Sequence, residues 1–321
     1  MRFMLGRTRQ AGPYMRLMSN PVSPLPIFEP RVVRAHRERA APRLADHDFM
    51  FREVAQRLAD RLMDIKCRFP LALDLGCHGG EFGRIVGGRG GIENLVQCDP
   101  APAMVRRAGG LAVAADADAL PFREGAFDLV VSVLSLHWVN DLPGALVQIR
   151  RVLGPDGLFL AALPGGGTLG ELRAALTEAE LEITGGARPR VAPFVDMRDA
   201  GALLQRAGFA LPVVDSDPIV VRYENMFRLM ADLRGMGETA AMTGVPRHFT
   251  RREVILRAAE IYRQRHEGAD GRIPATFQIV WLTGWAPDPS QQRPARRGSA
   301  GARLADALRV EEEGGAGNGE G

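Results

Sequence analysis

Five apolar runs of strand length, at 71–75, 94–98, 111–115, 127–133 and 158–163, alternate with helical stretches near 80–88, 101–108, 141–153 and 168–183. Parallel neighbours in a sheet need a long return connection, usually a helix. The alternation therefore predicts an α/β fold with a doubly wound, mostly parallel sheet. The later part of the chain breaks the rhythm. After a helix at about 197–207 come two strand-like segments, 211–221 and 276–285, separated by more than fifty residues. The separating stretch holds two helical patterns, NMFRLMADLRGMGE and TRREVILRAAEIYRQRH, and an insertion of that length commonly serves as a lid. Upstream, Phe51, Val54, Leu58, Leu62 and Ile65 fall on one face of a helical pattern running from Val32 to about Lys66.

Composition bounds the partners. With 46% apolar and 25% charged residues the chain can build a sizeable core, and its formal charge of +3 does not argue for nucleic acid. Lys66 is its only lysine, and the arginines are spread along the chain, which fits a GC-rich bacterial genome better than a binding surface. No apolar stretch approaches the roughly 20 residues of a membrane span. Cys67, Cys77 and Cys98 are too few and too irregular for a disulfide framework or a zinc site, so a reducing compartment is expected. Residues 1–17 carry four arginines and no acid, either as a transit-like leader or because translation starts at Met18, which the bacterial composition favours. The expected layout is an extended segment 1–30, a helical segment 31–69, a main domain 70–286 with its insertion at about 222–274, and a disordered Pro/Gly/Arg-rich tail 287–321.

The stretch LALDLGCHGGEFGRIV, 71–86, places a glycine-rich turn between the first strand and a helix. Such a turn offers backbone N–H groups and lets a ligand approach the main chain. GCHGGEFG lacks the GxGxxG spacing of a dinucleotide site, and His78 stands where a second glycine is usual. Histidine is among the few non-glycine residues enriched at positive φ, so the turn is expected to survive. Asp99 ends the second strand, where an acid can accept both ribose hydroxyls, and Asp116 follows the third, where a carboxylate can accept from an adenine amino group. Each aspartate alone is as readily a turn former or helix cap. On successive strand ends they point to an adenosine site.

With these residues in place the sequence resembles the class I S-adenosylmethionine-dependent methyltransferases. LDLGC matches their first motif, CDP the second, and DADALPF followed by FDLVVS the third and fourth, over roughly 70–285. The resemblance implies a seven-stranded Rossmann-like sheet whose last two strands are antiparallel. It also implies S-adenosyl-L-methionine as cofactor, held by Asp74, Gly76, Cys77, His78, Gly80, Asp99, Pro100, Asp116 and Ala117.

A narrower resemblance rests on IFEPRVVRAHRERAA, SVLSLHWVNDLPGAL, QIRRVLGPDGLF, GGGTLGELRAAL, YENMFRLMADLRGMGE and PATFQIVWLTGWAPDPSQQRPARRGSA. Together these are similar to the complex I assembly factor of methyltransferase type, from about residue 27 to 300. That family is associated with hydroxylating an arginine of the quinone-proximal iron–sulfur subunit, which implies that subunit as protein partner. A cytoplasmic location follows, with a peripheral position at the inner membrane face. His137, Trp138 and Asp141, after the fourth strand, are the candidate catalytic residues: a general base, a pocket wall and a nearby acid. A packed aromatic pair supporting the turn is the plainer account of the first two. Tyr223, Asn225 and Arg234 in the insertion are further candidates for substrate contact or for helix surface. No metal site is expected, because His36 and Glu38, in HxE spacing, would not face each other on a helix. Two other functions stay open: a conventional methyltransferase, as in the malonyl-carrier-protein methyltransferase of biotin synthesis, and a non-catalytic assembly chaperone.

Overall fold

A computed structural model describes residues 26–244 and 250–291. The arginine-rich leader, Met18 and nearly all of the tail lie outside the described residues. Seven strands are present: β1 (Phe69–Leu75), β2 (Ile92–Asp99), β3 (Leu111–Ala114), β4 (Phe127–Val133), β5 (Leu153–Pro164), β6 (Ala210–Tyr223) and β7 (Ile273–Trp285). They form one sheet in the order β3-β2-β1-β4-β5-β7-β6, parallel through β5, with β7 antiparallel to both neighbours. After β3 the chain returns to the other side of β1. The crevice at the carboxyl ends of β1 and β4 is thus the switch point where such sheets place ligands.

Alternation along the strands divides the apolar side chains between two cores. Leu129, Val131, Leu158, Leu160 and Ala162 face one core, and Leu73, Leu75, Val130, Phe159 and Ala161 the other. The second face is covered by α5 (Leu142–Val152) and α7 (Met197–Arg206). Their starts are fixed by Asp141 and Asp196, whose side chains accept from the N–H groups of Gly144 and Arg198. The first face is covered by α2 (Phe49–Met63), α3 (Glu81–Val86), α4 (Pro102–Ala108) and α6 (Gly170–Thr184), together with the insertion.

The insertion folds as expected into two helices, α8 (Met226–Met236) and α9 (Arg252–His266). Asn225 caps α8 through Arg228 N–H, and Gly237, at φ 83°, ends it. The N-terminal helical pattern departs from expectation. It is two helices, α1 (Pro30–Ala40) and α2, separated by a 3-10 segment, Ala41–Asp46. Pro42 has no N–H to donate there and Arg43 leaves helical geometry at φ −118°, so the chain turns a corner. That corner lays α1 across the carboxyl edge of the sheet. Among the described residues no helix is long and apolar enough to cross a membrane.

Candidate functional site

The turn after β1 is built on left-handed residues. Gly76, His78 and Gly80 have φ of 77°, 49° and 86°. The N–H groups of Gly76 and Cys77 both donate to the Cys98 carbonyl, at 2.7 and 2.9 Å, which pins the turn to the end of β2. A Cβ on Gly76 would overlap the Ser135 side chain, and one on Gly80 would lie 2.9 Å from the Ala108 Cα. His78 adopts the positive φ anticipated for it. Its ring is stacked on Phe51 of α2 at 3.9 Å, with Nε2 donating to the Val133 carbonyl at the end of β4 at 3.0 Å. Burial, then the Arg37 charge, push its pKa down to about 3, so the ring is neutral at ordinary pH. What His78 offers at this turn is its backbone: its N–H donates to Asp99 Oδ2 at 3.2 Å. The Cys77 and Cys98 thiols are buried and, by burial, held protonated.

The acids sit around this turn in different states. Asp74 is fully buried and neither carboxyl oxygen meets a donor; burial, then Glu81 and Asp99, push its pKa well up. Asp99 is fully buried as well, but satisfied. Its Oδ1 accepts from Ala101 N–H at 2.9 Å, and its Oδ2 forms a 2.7 Å ion pair with Arg37 of α1. The other end of that guanidinium donates to the Ser135 hydroxyl at 2.9 Å. Asp116 accepts from Asp118 N–H at 3.2 Å as a turn former, and it also borders a pocket shared with Gly76, Pro100, Ala117, Arg37 and Trp138. That pocket measures only about 40 Å³, room for a water or two. That is less than an adenosine needs, and Pro30, Val33 and Arg37 of α1 are among the residues that line it.

On the other side of Trp138 lies a much larger cavity of about 290 Å³. Its floor is His137 and Trp138, its walls include Phe51, Leu172, Phe194 and Phe277, and the insertion closes it with α8 and residues 238–240. One carboxylate anchors the floor. Glu238 Oε2 accepts from His137 Nε2 at 2.9 Å and from Trp138 Nε1 at 2.7 Å. Burial raises its pKa, but His137, then Arg37 and His78, outweigh that and hold it at about 2. Glu238 Oε1 and His137 Nδ1 are buried and have no partner.

His137 and Trp138 thus come together, as expected, but Asp141 does not join them. It lies in the lining of neither pocket and caps α5, accepting from Gly144 N–H at 2.9 Å. Tyr223 packs in the core, Asn225 caps α8 and Arg234 is exposed on that helix. His36 turns to the Thr239 hydroxyl (2.8 Å) and Glu38 to Ala103 N–H (3.3 Å), so the HxE pair diverges. Among the described residues no three His, Cys, Asp or Glu side chains converge as a metal-ligand group. Arg37 and Glu238 were not singled out from sequence. Arg37 had a readable signal, since with Val33 and Ala40 it lies on the buried stripe of α1. Glu238 had none, because its partners are 100 residues away.

Comparison with known proteins places this arrangement. Residues 73–161 match a methyltransferase domain. The chain is 45% identical over 283 residues to the human mitochondrial arginine-hydroxylase NDUFAF5, covering 86% of this chain and 81% of the relative. This chain belongs to the NDUFAF5 family. The Dictyostelium discoideum member is 35% identical over 320 residues, covering 92% of this chain and 71% of its own. Outside that family, a malonyl-[acyl-carrier protein] O-methyltransferase of Halorhodospira halophila is 34% identical over 271 residues, covering 82% and 90%. Among solved structures, Bacillus subtilis YcgJ superposes with a TM-score of 0.50 at 16% identity, covering 72% of this chain and 98% of that one, a likeness of fold. The NDUFAF5-family chain is thus a methyltransferase-superfamily enzyme with the seven-stranded sheet of that superfamily.

The residues of this NDUFAF5-family chain fit the cofactor that such a domain implies. Asp74 presents two buried oxygens in need of donors, Gly76 brings the main chain into the lining of the small pocket, and Asp99 and Asp116 lie at the ends of adjacent strands as acceptors. Space is the mismatch, and Arg37 of α1, paired with Asp99, lies in the lining of the small pocket.

Proposed function

We propose that this chain is a respiratory complex I assembly factor that binds S-adenosylmethionine and hydroxylates an arginine of the quinone-proximal iron–sulfur subunit. The observation that carries the reading is the pairing of two pockets across Trp138. One is small and bordered by Asp116 and Asp118; the other is apolar, walled on one side by the insertion, and carries the ionised Glu238 at its floor. Likeness to relatives named arginine-hydroxylase, over 86% of this chain, supports arginine as the acceptor. Asp99 and Asp116 would hold the adenosine, and the turn from Gly76 to Gly80 the methionine end near Asp74. Bound there, the cofactor supplies a methyl group on a positively charged sulfur. The protein's own part is to hold an acceptor side chain under the insertion, fix it against His137 and Trp138, and exclude water. The work is expected in the bacterial cytoplasm, at the inner membrane face where the subunit docks.

A second reading has its own support. An apolar cavity of about 290 Å³ also suits an acyl chain, and a malonyl-carrier-protein O-methyltransferase is 34% identical. Peptide mass spectrometry of the iron–sulfur subunit, from cells with and without the gene, separates the two. Loss of one oxygen from an arginine peptide in the deletion supports the assembly-factor reading. An unchanged peptide, with loss of an acyl methyl ester, supports the second reading and contradicts the first.

A further inference from the structure

We propose that Glu238 is the anchor for a guanidinium group that enters the large cavity. Taking that group to belong to an arginine side chain rests on the function proposed above. The site itself rests on four observations. Glu238 is held ionised beside a cavity whose lining is otherwise dominated by apolar side chains. Its Oε2 is saturated by His137 and Trp138, while Oε1 is buried without a donor. His137 Nδ1, buried on the same cavity floor, has no partner among the described residues either. Arg190, the one other charged residue of the lining among the described residues, is already neutralised by Glu180 at 2.6 Å and donates to Thr250.

A buried carboxylate oxygen left without a donor is costly, and a cation bearing several donors removes that cost. Guanidinium suits the position better than ammonium. It is planar, weakly hydrated, and stacks on aromatic faces such as those of Trp138, Phe194 and Phe51, which surround the cavity. The free carboxylate oxygen can accept from its N–H groups, while the apolar walls take a methylene stem. A neutral acyl chain would fill the walls and leave Glu238 unanswered.

Calorimetric titration of the full chain with n-butylguanidinium, n-butylammonium and the neutral n-butylurea tests the assignment. Butylguanidinium should bind at least about tenfold more tightly than butylurea, since a hydrogen bond to a charged group contributes about 1.5–3 kcal/mol. Glu238→Gln keeps acceptors for His137 and Trp138 and should abolish that preference while butylurea binding stays. If this variant unfolds, Glu238→Asp, which withdraws the carboxylate by one methylene, should still weaken the guanidinium several-fold. Equal binding of butylguanidinium and butylurea to the wild type, a preference that survives in Glu238→Gln, or one that is undiminished in Glu238→Asp, overturns the proposal. A guanidinium preference with no arginine modified in the subunit would overturn the proposed function and leave this site standing. Arginine modification that persists in Glu238→Gln cells would overturn the site alone.

Discussion

Replacing Arg37 with methionine should weaken the fold and strengthen cofactor binding. Arg37 and Asp99 have side-chain exposures of 1% and 0%, so solvent does not screen their 2.7 Å pair. Removing one partner of a buried pair typically costs about 3–5 kcal/mol, because the other charge is left behind. Asp99 keeps N–H donors from His78 and Ala101, which puts the loss at the lower end of that range. For a domain of this size that lowers Tm by about 10 °C. Ribose hydroxyls and the Arg37 guanidinium compete for the same Asp99 oxygen, and Pro30, Val33 and Arg37 of α1 line the 40 Å³ pocket. Affinity is reduced by the fraction of molecules in the competent state, and the variant removes that reduction. S-adenosylhomocysteine titrated by calorimetry should bind Arg37→Met at least about tenfold more tightly, roughly 1.4 kcal/mol of the pair's contribution. Weaker binding to the variant would show that Arg37 holds the cofactor, and unchanged binding that α1 leaves the pocket without cost. Either result would refute the competition argued from Asp99.

Three further outcomes follow from the same residues. Asp99→Ala should lose the thermal stabilisation by S-adenosylhomocysteine, about 2.7 kcal/mol for a binding-competent chain at a hundredfold excess over Kd, read by calorimetric melting. Gly76→Ala forces an L residue to φ 77° and into Ser135, so urea unfolding should show a loss of about 3 kcal/mol or more; the double variant with Ser135→Gly should recover only the steric part. His78 has a folded pKa of about 3 against an ordinary 6.5, so the unfolded chain binds the extra proton between those values. Its contribution is present above pH 6.5 and lost as pH falls toward 3. His78→Asn, which suits a positive φ, should reduce the stability lost between pH 7 and pH 5 by about 2 kcal/mol relative to wild type.

The sheet was legible because a parallel strand buried on both faces is a continuous apolar run, and 71–75, 127–133 and 158–163 each lie within the strand found there. The two insertion helices were legible for the same local reason, apolar spacing within a few turns, whereas Asn225, expected as a contact or surface residue, is the cap of the first. The break between α1 and α2 was not read, because apolar spacing carries through Pro42 even though the backbone does not. Asp141 shows the opposite limit. A helix cap and an acid beside a pocket have the same sequence signature, and only geometry separates them. The two groups that define the site electrostatically, Arg37 and Glu238, act across 62 and 100 residues of sequence. No local pattern marks such a pair, although an arginine on an apolar helix stripe announces a buried acid somewhere.

The most direct test of the account is the arginine peptide of the iron–sulfur subunit, measured by mass spectrometry in a deletion strain carrying the wild-type gene or Asp99→Ala. The account predicts that the wild-type copy restores the added oxygen and that Asp99→Ala, with its protein present at normal level, does not. An arginine peptide oxidised equally in the deletion strain and in both complemented strains would contradict it.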